Sequence, residues 1–221
     1  MGIVVKICGI NSPDAADAAV GAGADMVGLN FHRASPRYVH AELAQALAGR
    51  LRGRTRIVVI LSDPTDDETK RAVTAARPDF LQLHGTETPN RVAQLREQFG
   101  LRIIKSLAVE VGSDLSIARG YEEVADFYHF DAKAPPNAER LGGHGVAFDW
   151  RILEAQRFPR PWLLAGGLTA ENVARAIAIS GAPGVDVSSG VETAPGRKSP
   201  ELIRNFVAAA KQARFHVEEG A

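Results

Sequence analysis

The residues with the clearest chemical potential lie between Trp162 and Gly190. The chain there reads Trp-Leu-Leu-Ala-Gly-Gly-Leu-Thr-Ala-Glu-Asn, passes through a helical pattern and returns as Gly-Val-Asp-Val-Ser-Ser-Gly. A short apolar run, Trp162 to Ala165, ends in Gly166-Gly167, and a second, Val185 to Val187, ends in Ser188-Ser189-Gly190. Strands that end in glycine turns present bare backbone N–H groups. Thr169, as the N-cap of a helix starting near Ala170, would add partial positive charge. Together these can hold a phosphate dianion without lysine or arginine, so Gly166, Gly167, Ser188, Ser189 and Gly190 are the candidate phosphate ligands. Either turn alone reads equally as a bend needing glycine for positive φ. Both together, near the end of the chain, favour phosphate.

Those turns need a scaffold. Short β-branched runs alternate with Ala-rich runs of helical period, and apolar runs of this length read as buried parallel strands. Strands are expected near Ile3–Ile7, Met26–Phe31, Arg56–Leu61, Phe80–Leu83, Arg102–Leu107, Phe127–Phe130, Trp162–Ala165 and Val185–Val187. Helices are expected near Pro13–Ala22, Ala41–Leu51, Asp66–Ala76, Pro89–Phe99, Leu115–Tyr121, Phe148–Ala155, Ala170–Ser180 and Pro200–Ala213. Ser12-Pro13, Thr88-Pro89 and Ser199-Pro200 are caps followed by proline in the first turn. Eight such units in 221 residues predict an α/β fold, a single (β/α)8 barrel over 1–221 with a frayed tail at 216–221. A doubly wound open sheet would show fewer repeats of the unit.

In such a barrel, chemistry sits at the C-terminal strand ends, and a phosphate site follows strands seven and eight. Those ends carry Lys6-Ile7-Cys8-Gly9, Asn30-Phe31-His32 with Ser35-Pro36-Arg37, Ser62-Asp63, Gln82-Leu83-His84-Gly85, Lys105-Ser106 and Phe130-Asp131-Ala132-Lys133. Alternation puts Lys6 with Cys8, Gln82 with His84, Asp131 with Lys133 and Asp186 with Ser188 on shared faces, with the mouth as the expected direction. Taken singly, each has a plainer reading. A lone buried cysteine is commonly an inert small hydrophobe, a strand-end aspartate a turn former, and His84 a satisfied structural histidine. Lys6, Lys105 and Lys133 can equally form ion pairs inside the barrel.

Composition narrows the class. With 26 basic and 26 acidic side chains the formal net charge is zero, which gives no sign of a nucleic-acid or membrane-surface partner. No apolar run reaches the length of a membrane span, and Ile3-Val4-Val5 follows the start directly, as expected of a chain without a signal peptide. The single cysteine forms no internal disulfide and fits a reducing cytoplasm. The six histidines are scattered, and with one cysteine no zinc cage forms. The glycine clusters also lack the acidic residue of a dinucleotide fingerprint. No metal and no cofactor is expected; the expected partner is a phosphorylated small molecule, and monomer and homodimer both suit the architecture.

In order, the strand-end motifs resemble phosphoribosylanthranilate isomerase, the barrel enzyme of tryptophan biosynthesis. Lys6-Ile7-Cys8-Gly9, Ser35-Pro36-Arg37, Gln82-Leu83-His84-Gly85, Asp131, Gly142-Gly143 with Phe148-Asp149-Trp150, Ala165-Gly166-Gly167-Leu168 and Asp186-Val187-Ser188-Ser189-Gly190 carry the likeness over nearly the whole chain. Ser62-Asp63, in place of an apolar run, and His144, in a glycine turn, depart from the pattern.

The resemblance implies an Amadori rearrangement of N-(5'-phosphoribosyl)anthranilate by general acid–base catalysis, with Cys8 as base and Asp131 as acid. It implies that Arg37 binds the aromatic carboxylate, a task suited to a guanidinium fork, with a solvated surface arginine as the alternative. Gln82, His84 and Asp186 are the remaining substrate-binding candidates. The roles ask for a lowered thiol pKa at Cys8, for which Lys6 is a neighbouring cation. They ask for a raised carboxyl pKa at Asp131, which burial would supply and Lys133 would oppose. The segments 33–38 and 134–145 are candidate closing loops. A related synthase would pair glutamates with its strand-end lysines, yet no expected strand ends in Glu. An epimerase would bring metal-ligating histidines and aspartates to the mouth, where only His84 with Asp131 offers a match. A binding module that grips phosphate without turnover, and a substrate range extending to a histidine-pathway sugar phosphate, stay open.

Overall fold

The computed structural model describes residues 2–133, 147–154 and 156–213. Gly142-Gly143, His144, the segment 134–145 and the tail 216–221 belong, wholly or nearly so, outside them. Eight parallel strands close into a barrel: β1 (Val4–Ile7), β2 (Met26–Asn30), β3 (Arg56–Leu61), β4 (Phe80–Leu83), β5 (Arg102–Val109), β6 (Phe127–Ala132), β7 (Trp162–Leu164) and β8 (Gly184–Val187). The ring is shut by β1, which pairs with β2 on one side and with β8 on the other, Lys6 lying opposite both Met26 and Asp186. Among the described residues six α-helices pack outside: α1 (Pro13–Gly21), α2 (Ala41–Leu51), α3 (Asp66–Ala76), α4 (Pro89–Phe99), α5 (Val173–Ser180) and α6 (Pro200–Gln212).

Local sequence explains most boundaries. Ser12, Thr88 and Ser199 each accept a backbone N–H from the first helical turn, with proline behind them. Three expectations need correction. The segments after β5 and β6 are 3₁₀ turns, Gly112–Tyr121 and Trp150–Leu153, rather than α-helices. In the first, Ser116 Oγ donates to the Ser113 carbonyl at 2.8 Å and Asp114 accepts the N–H groups of Glu110 and Val111, local bonds that compete with an α-helical ladder. The helix after β7 starts at Val173, not Ala170. Asn172 donates to the Gly167 carbonyl at 2.9 Å and accepts the Thr169 N–H at 2.8 Å, which holds the intervening residues in a turn. A small hairpin, β9 (Glu192–Ala194) and β10 (Arg197–Lys198), follows β8 and was not expected.

The barrel has two apolar regions. Alternate strand residues pack outward against the helices in one large core. Met26, Val58, Phe80, Ile104 and Phe127 fill the bottom of the interior. This plug supports the polar residues above it, which are taken up next.

Candidate active site

At the C-terminal end of β1, Lys6 and Cys8 share the inward face, as alternation requires. Gly9 has φ +74° and turns the chain away, its N–H and that of Ile10 both donating to the Gly28 carbonyl. Gly28 makes room for the thiol: a Cβ there would lie 2.7 Å from Ile60 Cδ1 and 3.4 Å from Cys8 Sγ. Lys6 is fully buried, and its Nζ donates to Asp186 Oδ2 at 2.9 Å. Burial pushes the Cys8 thiol above its ordinary pKa, and Asp186 adds to the rise; Lys6, Lys198 and Arg37 oppose without prevailing. The expected activation by Lys6 is therefore present but outweighed, by burial first and by Asp186 second.

Asp131 stands at the end of β6, 9% exposed. His84 Nε2 lies 3.5 Å from its Oδ2, and His84 Nδ1 is 3.1 Å from Gln82 Nε2. Burial works to raise the Asp131 pKa, but the His84 contact and the two histidines facing the carboxyl overcome it and leave it below its ordinary value. The protonated carboxyl expected there is thus not the form these surroundings favour. Lys133 does not share the mouth with Asp131: it lies beyond β6, about half exposed, on Glu110 at 2.9 Å.

Lys105 also differs from expectation. It points outward into the helix layer, donating to Glu87 at 2.8 Å and to the carbonyls of Leu83 and Gly85, with its Nζ 5.6 Å from the Tyr121 ring. The inward residue of β5 is its neighbour Ser106, whose Oγ is 2.8 Å from His129 Nδ1. His129 Nε2 in turn lies 2.8 Å from Asp186 Oδ2. Asp186 is held below its ordinary pKa: burial opposes, while Lys6 and His129 together win. Its other oxygen, Oδ1, is buried without a hydrogen-bond partner among the described residues, as is Gln82 Oε1. Ser106 and His129 were missed from sequence; the parity that selects Asp131 on β6 also selects His129.

Arg37 follows β2 and is buried, not solvated. Its Nε and Nη2 donate to the two carboxylate oxygens of Glu192 at 2.7 and 2.8 Å, so one edge of the fork is occupied. Lys198 completes the cluster, 2.8 Å from Glu192 Oε1, and donates to the Ser188 carbonyl at 2.8 Å. Both partners come from the β9–β10 hairpin, which has no strand-end signature.

The phosphate candidates come together. Gly166 and Gly167 have φ +88° and +63°, and a Cβ on Gly166 would lie 2.7 Å from Ala132 Cβ. Ser189–Val191 form a short 3₁₀ turn, and a Cβ on Gly190 would run into the Leu168 carbonyl, so the turn after β7 packs directly on the turn after β8. Among the described residues, the N–H groups of Gly166 and Gly167 donate to no backbone carbonyl. The helical end beside them is this 3₁₀ turn as well as α5. Among the described residues, no group of three or more His, Cys, Asp or Glu side chains is disposed to hold a metal ion, and no helix is long and apolar enough to cross a membrane.

Comparison with known proteins gives a consistent result. The family model described as N-(5'-phosphoribosyl)anthranilate (PRA) isomerase matches residues 5–209. The chain is 46% identical over 213 residues to N-(5'-phosphoribosyl)anthranilate isomerase of Bradyrhizobium sp. (strain ORS 278), covering 96% of this chain and 97% of that one. It is 48% identical over 211 residues to the enzyme of the same name from Rhodopseudomonas palustris (strain BisA53), covering 96% and 97%. The crystal structure of phosphoribosyl anthranilate isomerase from Thermotoga maritima superposes with TM-score 0.85 at 32% identity, covering 95% of this chain and 98% of that one. A structure of such an isomerase in complex with reduced 1-(o-carboxyphenylamino)-1-deoxyribulose 5-phosphate superposes at 0.82 with 30% identity, again covering 95% and 98%.

Proposed function

The chain belongs to the N-(5'-phosphoribosyl)anthranilate isomerase family, and from that premise we propose how its barrel mouth carries the reaction. The enzyme converts N-(5'-phosphoribosyl)anthranilate to 1-(2-carboxyphenylamino)-1-deoxyribulose 5-phosphate, an Amadori rearrangement in tryptophan biosynthesis. In our reading the phosphate rests on the N–H groups of Gly166, Gly167, Ser189 and Gly190 with the Ser188 hydroxyl beside them. The aromatic carboxylate takes the open edge of Arg37, and the sugar hydroxyls meet the bare oxygens of Asp186 and Gln82. Asp131 gives its proton to the ring oxygen, the C1′–O bond breaks, and the nitrogen lone pair forms a protonated imine. The Cys8 thiolate removes the C2′ proton, and the released electron pair forms the C1′=C2′ bond and neutralises the nitrogen. The resulting enaminol becomes the ketone by moving a proton from its hydroxyl to C1′.

Each turnover leaves Cys8 protonated and Asp131 ionised. These are the forms that the surrounding groups favour, given the raised thiol and lowered carboxyl pKa. The reactive form, thiolate with carboxylic acid, carries the same single proton on the other group. Rate as kcat/KM then follows a bell. It falls in acid where both groups are protonated, below the ordinary carboxyl value of 3.8, and in alkali where both are bare, above the ordinary thiol value of 9.0.

The observation that carries this reading is the placement of Cys8 and Asp131 around one mouth. Both feel the charge of Asp186, and glycine turns follow β7 and β8 at the same end of the barrel. One closed ring running from β1 to β8 supports reading the chain as one domain. We also place the enzyme in the cytoplasm, where a lone thiol stays reduced. The test is steady-state kinetics of Cys8→Ala and Asp131→Asn. We expect each to lower kcat by about 10²–10⁴-fold with a modest change in KM. Near-normal turnover in either variant overturns that residue's role.

A further inference from the structure

The reaction as written leaves one buried histidine without a task. His129 is 1% exposed and faces the mouth from β6, two residues before Asp131. Both ring nitrogens are engaged, Nδ1 with Ser106 Oγ and Nε2 with Asp186 Oδ2, each at 2.8 Å. Asp186 is ionised, so Oδ2 only accepts, and Nε2 carries the proton. Burial keeps the imidazole neutral against the pull of Asp186 and Asp131. Nδ1 is then an acceptor, and the Ser106 hydroxyl donates to it. A single tautomer satisfies the whole chain.

The consequence falls on Asp186. Lys6 donates to the same oxygen, Oδ2, from β1, while His129 donates from β6. One donor comes from β1, which pairs with β8, and the other from β6, beyond β7 on its other side, and together they fix both the position and the plane of the carboxylate. The other oxygen, Oδ1, is left buried and bare. A bare buried carboxylate oxygen is costly and calls for a donor. The occupant of the mouth carries several donors, the anthranilate N–H among them, and the sugar hydroxyls are the most numerous.

We propose that His129 is a positioning residue for substrate binding: with Lys6 it holds Asp186 so that Oδ1 accepts a hydroxyl of the ribose-derived chain, and Ser106 fixes the tautomer that allows this. The proposal rests on the reading of Asp186 as a substrate ligand given above. Lys6 alone would leave the carboxylate free to turn about its last torsion; the bond to His129 removes that freedom.

The test is calorimetric binding of the reduced product analogue and of its single-deoxy counterparts to the wild type, His129→Leu, His129→Gln, Ser106→Ala and Asp186→Asn, with inorganic phosphate as a control ligand. His129→Leu should weaken the full analogue by about 10–100-fold, the range for a hydrogen bond to a charged group. His129→Gln keeps an N–H donor of similar reach and should recover most of that loss, while Ser106→Ala should show a smaller one of about 2- to 5-fold. With the analogue lacking the hydroxyl that meets Asp186, the penalty of His129→Leu should vanish. Phosphate binding should be the same throughout. An equal loss in the Leu and Gln variants, or an equal loss with every deoxy analogue, overturns the proposal in favour of a packing role. If Asp186→Asn binds the full analogue as the wild type does, the reading of Asp186 fails instead. Weakened binding in Asp186→Asn beside normal binding in His129→Leu overturns the role of His129 alone. Should His129→Leu not fold, the Gln and Ser106→Ala variants carry the same comparison.

Discussion

The two ends of the barrel use carboxylates in opposite ways. At the N-terminal end, Asp25, Asp79 and Asp126 stand just before β2, β4 and β6 and accept the N–H groups of Val5, Ile57 and Ile103 at 2.7, 2.7 and 2.8 Å. Each ties the start of an even strand to the odd strand before it and satisfies a backbone donor that would otherwise be left without a partner. At the C-terminal end, Asp131, Asp186 and Glu192 lie buried among His84, Lys6, His129, Arg37 and Lys198, and Asp186 keeps an oxygen unpaired. Asp25 and Asp126 also meet cations, Lys211 and Arg96, so what separates the two ends is the backbone bond that each N-terminal carboxylate closes. A carboxylate that closes a backbone bond stabilises the fold, and one balanced against cations around a cavity stays available to a ligand.

Variants at the two ends should separate cleanly, and the largest effect belongs to the mouth. The kcat losses of Cys8→Ala and Asp131→Asn should come with a melting temperature close to that of the wild type, checked by calorimetry beside the kinetics. Arg37→Ala should follow, raising KM by about 10–100-fold and kcat little, because the carboxylate is held alike in ground and transition states. A collapse of kcat at constant KM would remove Arg37 from its assigned place. At the opposite end, Asp79→Ala should cost about 1–3 kcal/mol in urea unfolding by stranding the Ile57 N–H, with kcat and KM unchanged at a temperature where the variant is folded. An Asp79 variant that loses turnover while fully folded would erase the distinction between the two ends. The smallest effect is a shift in pH dependence. His84→Gln removes a contact that lowers the Asp131 pKa, so the acid limb of kcat/KM should move to higher pH while the alkaline limb stays.

What could be read in advance follows the same division. The caps at Ser12, Thr88 and Ser199 and the strand runs are local signals, and each stands where its residues indicate. The inward direction of Lys6, Cys8, Asp131 and Asp186 follows from strand parity. Parity also separates Lys105 from Ser106: Lys105 forms an ion pair with Glu87 in the helix layer, and Ser106 is the one that faces in. His129 was hidden because Phe127-Tyr128-His129-Phe130 reads as a buried apolar run. Glu192 and Lys198 were hidden because their partners are distant in sequence and only closure of the ring brings them to Arg37. Charge balance among buried groups, which sets the pKa directions of Cys8 and Asp131, depends on that closure and has no local signature.

The seam between β1 and β8 also sets a schedule for biosynthesis. Lys6 and Asp186 are neighbours across it although 180 positions apart, so the nucleophilic end of the cavity leaves the ribosome long before the strand that completes it. At about 5–20 residues per second the interval is on the order of ten seconds or more. Throughout it Lys6 has no Asp186 to pair with, and the turn after β7 lacks the turn after β8 that packs on it. A nascent chain is therefore silent toward its metabolite until the last strand docks, and the appearance of ligand binding in a stalled-translation series would time the completion of the ring.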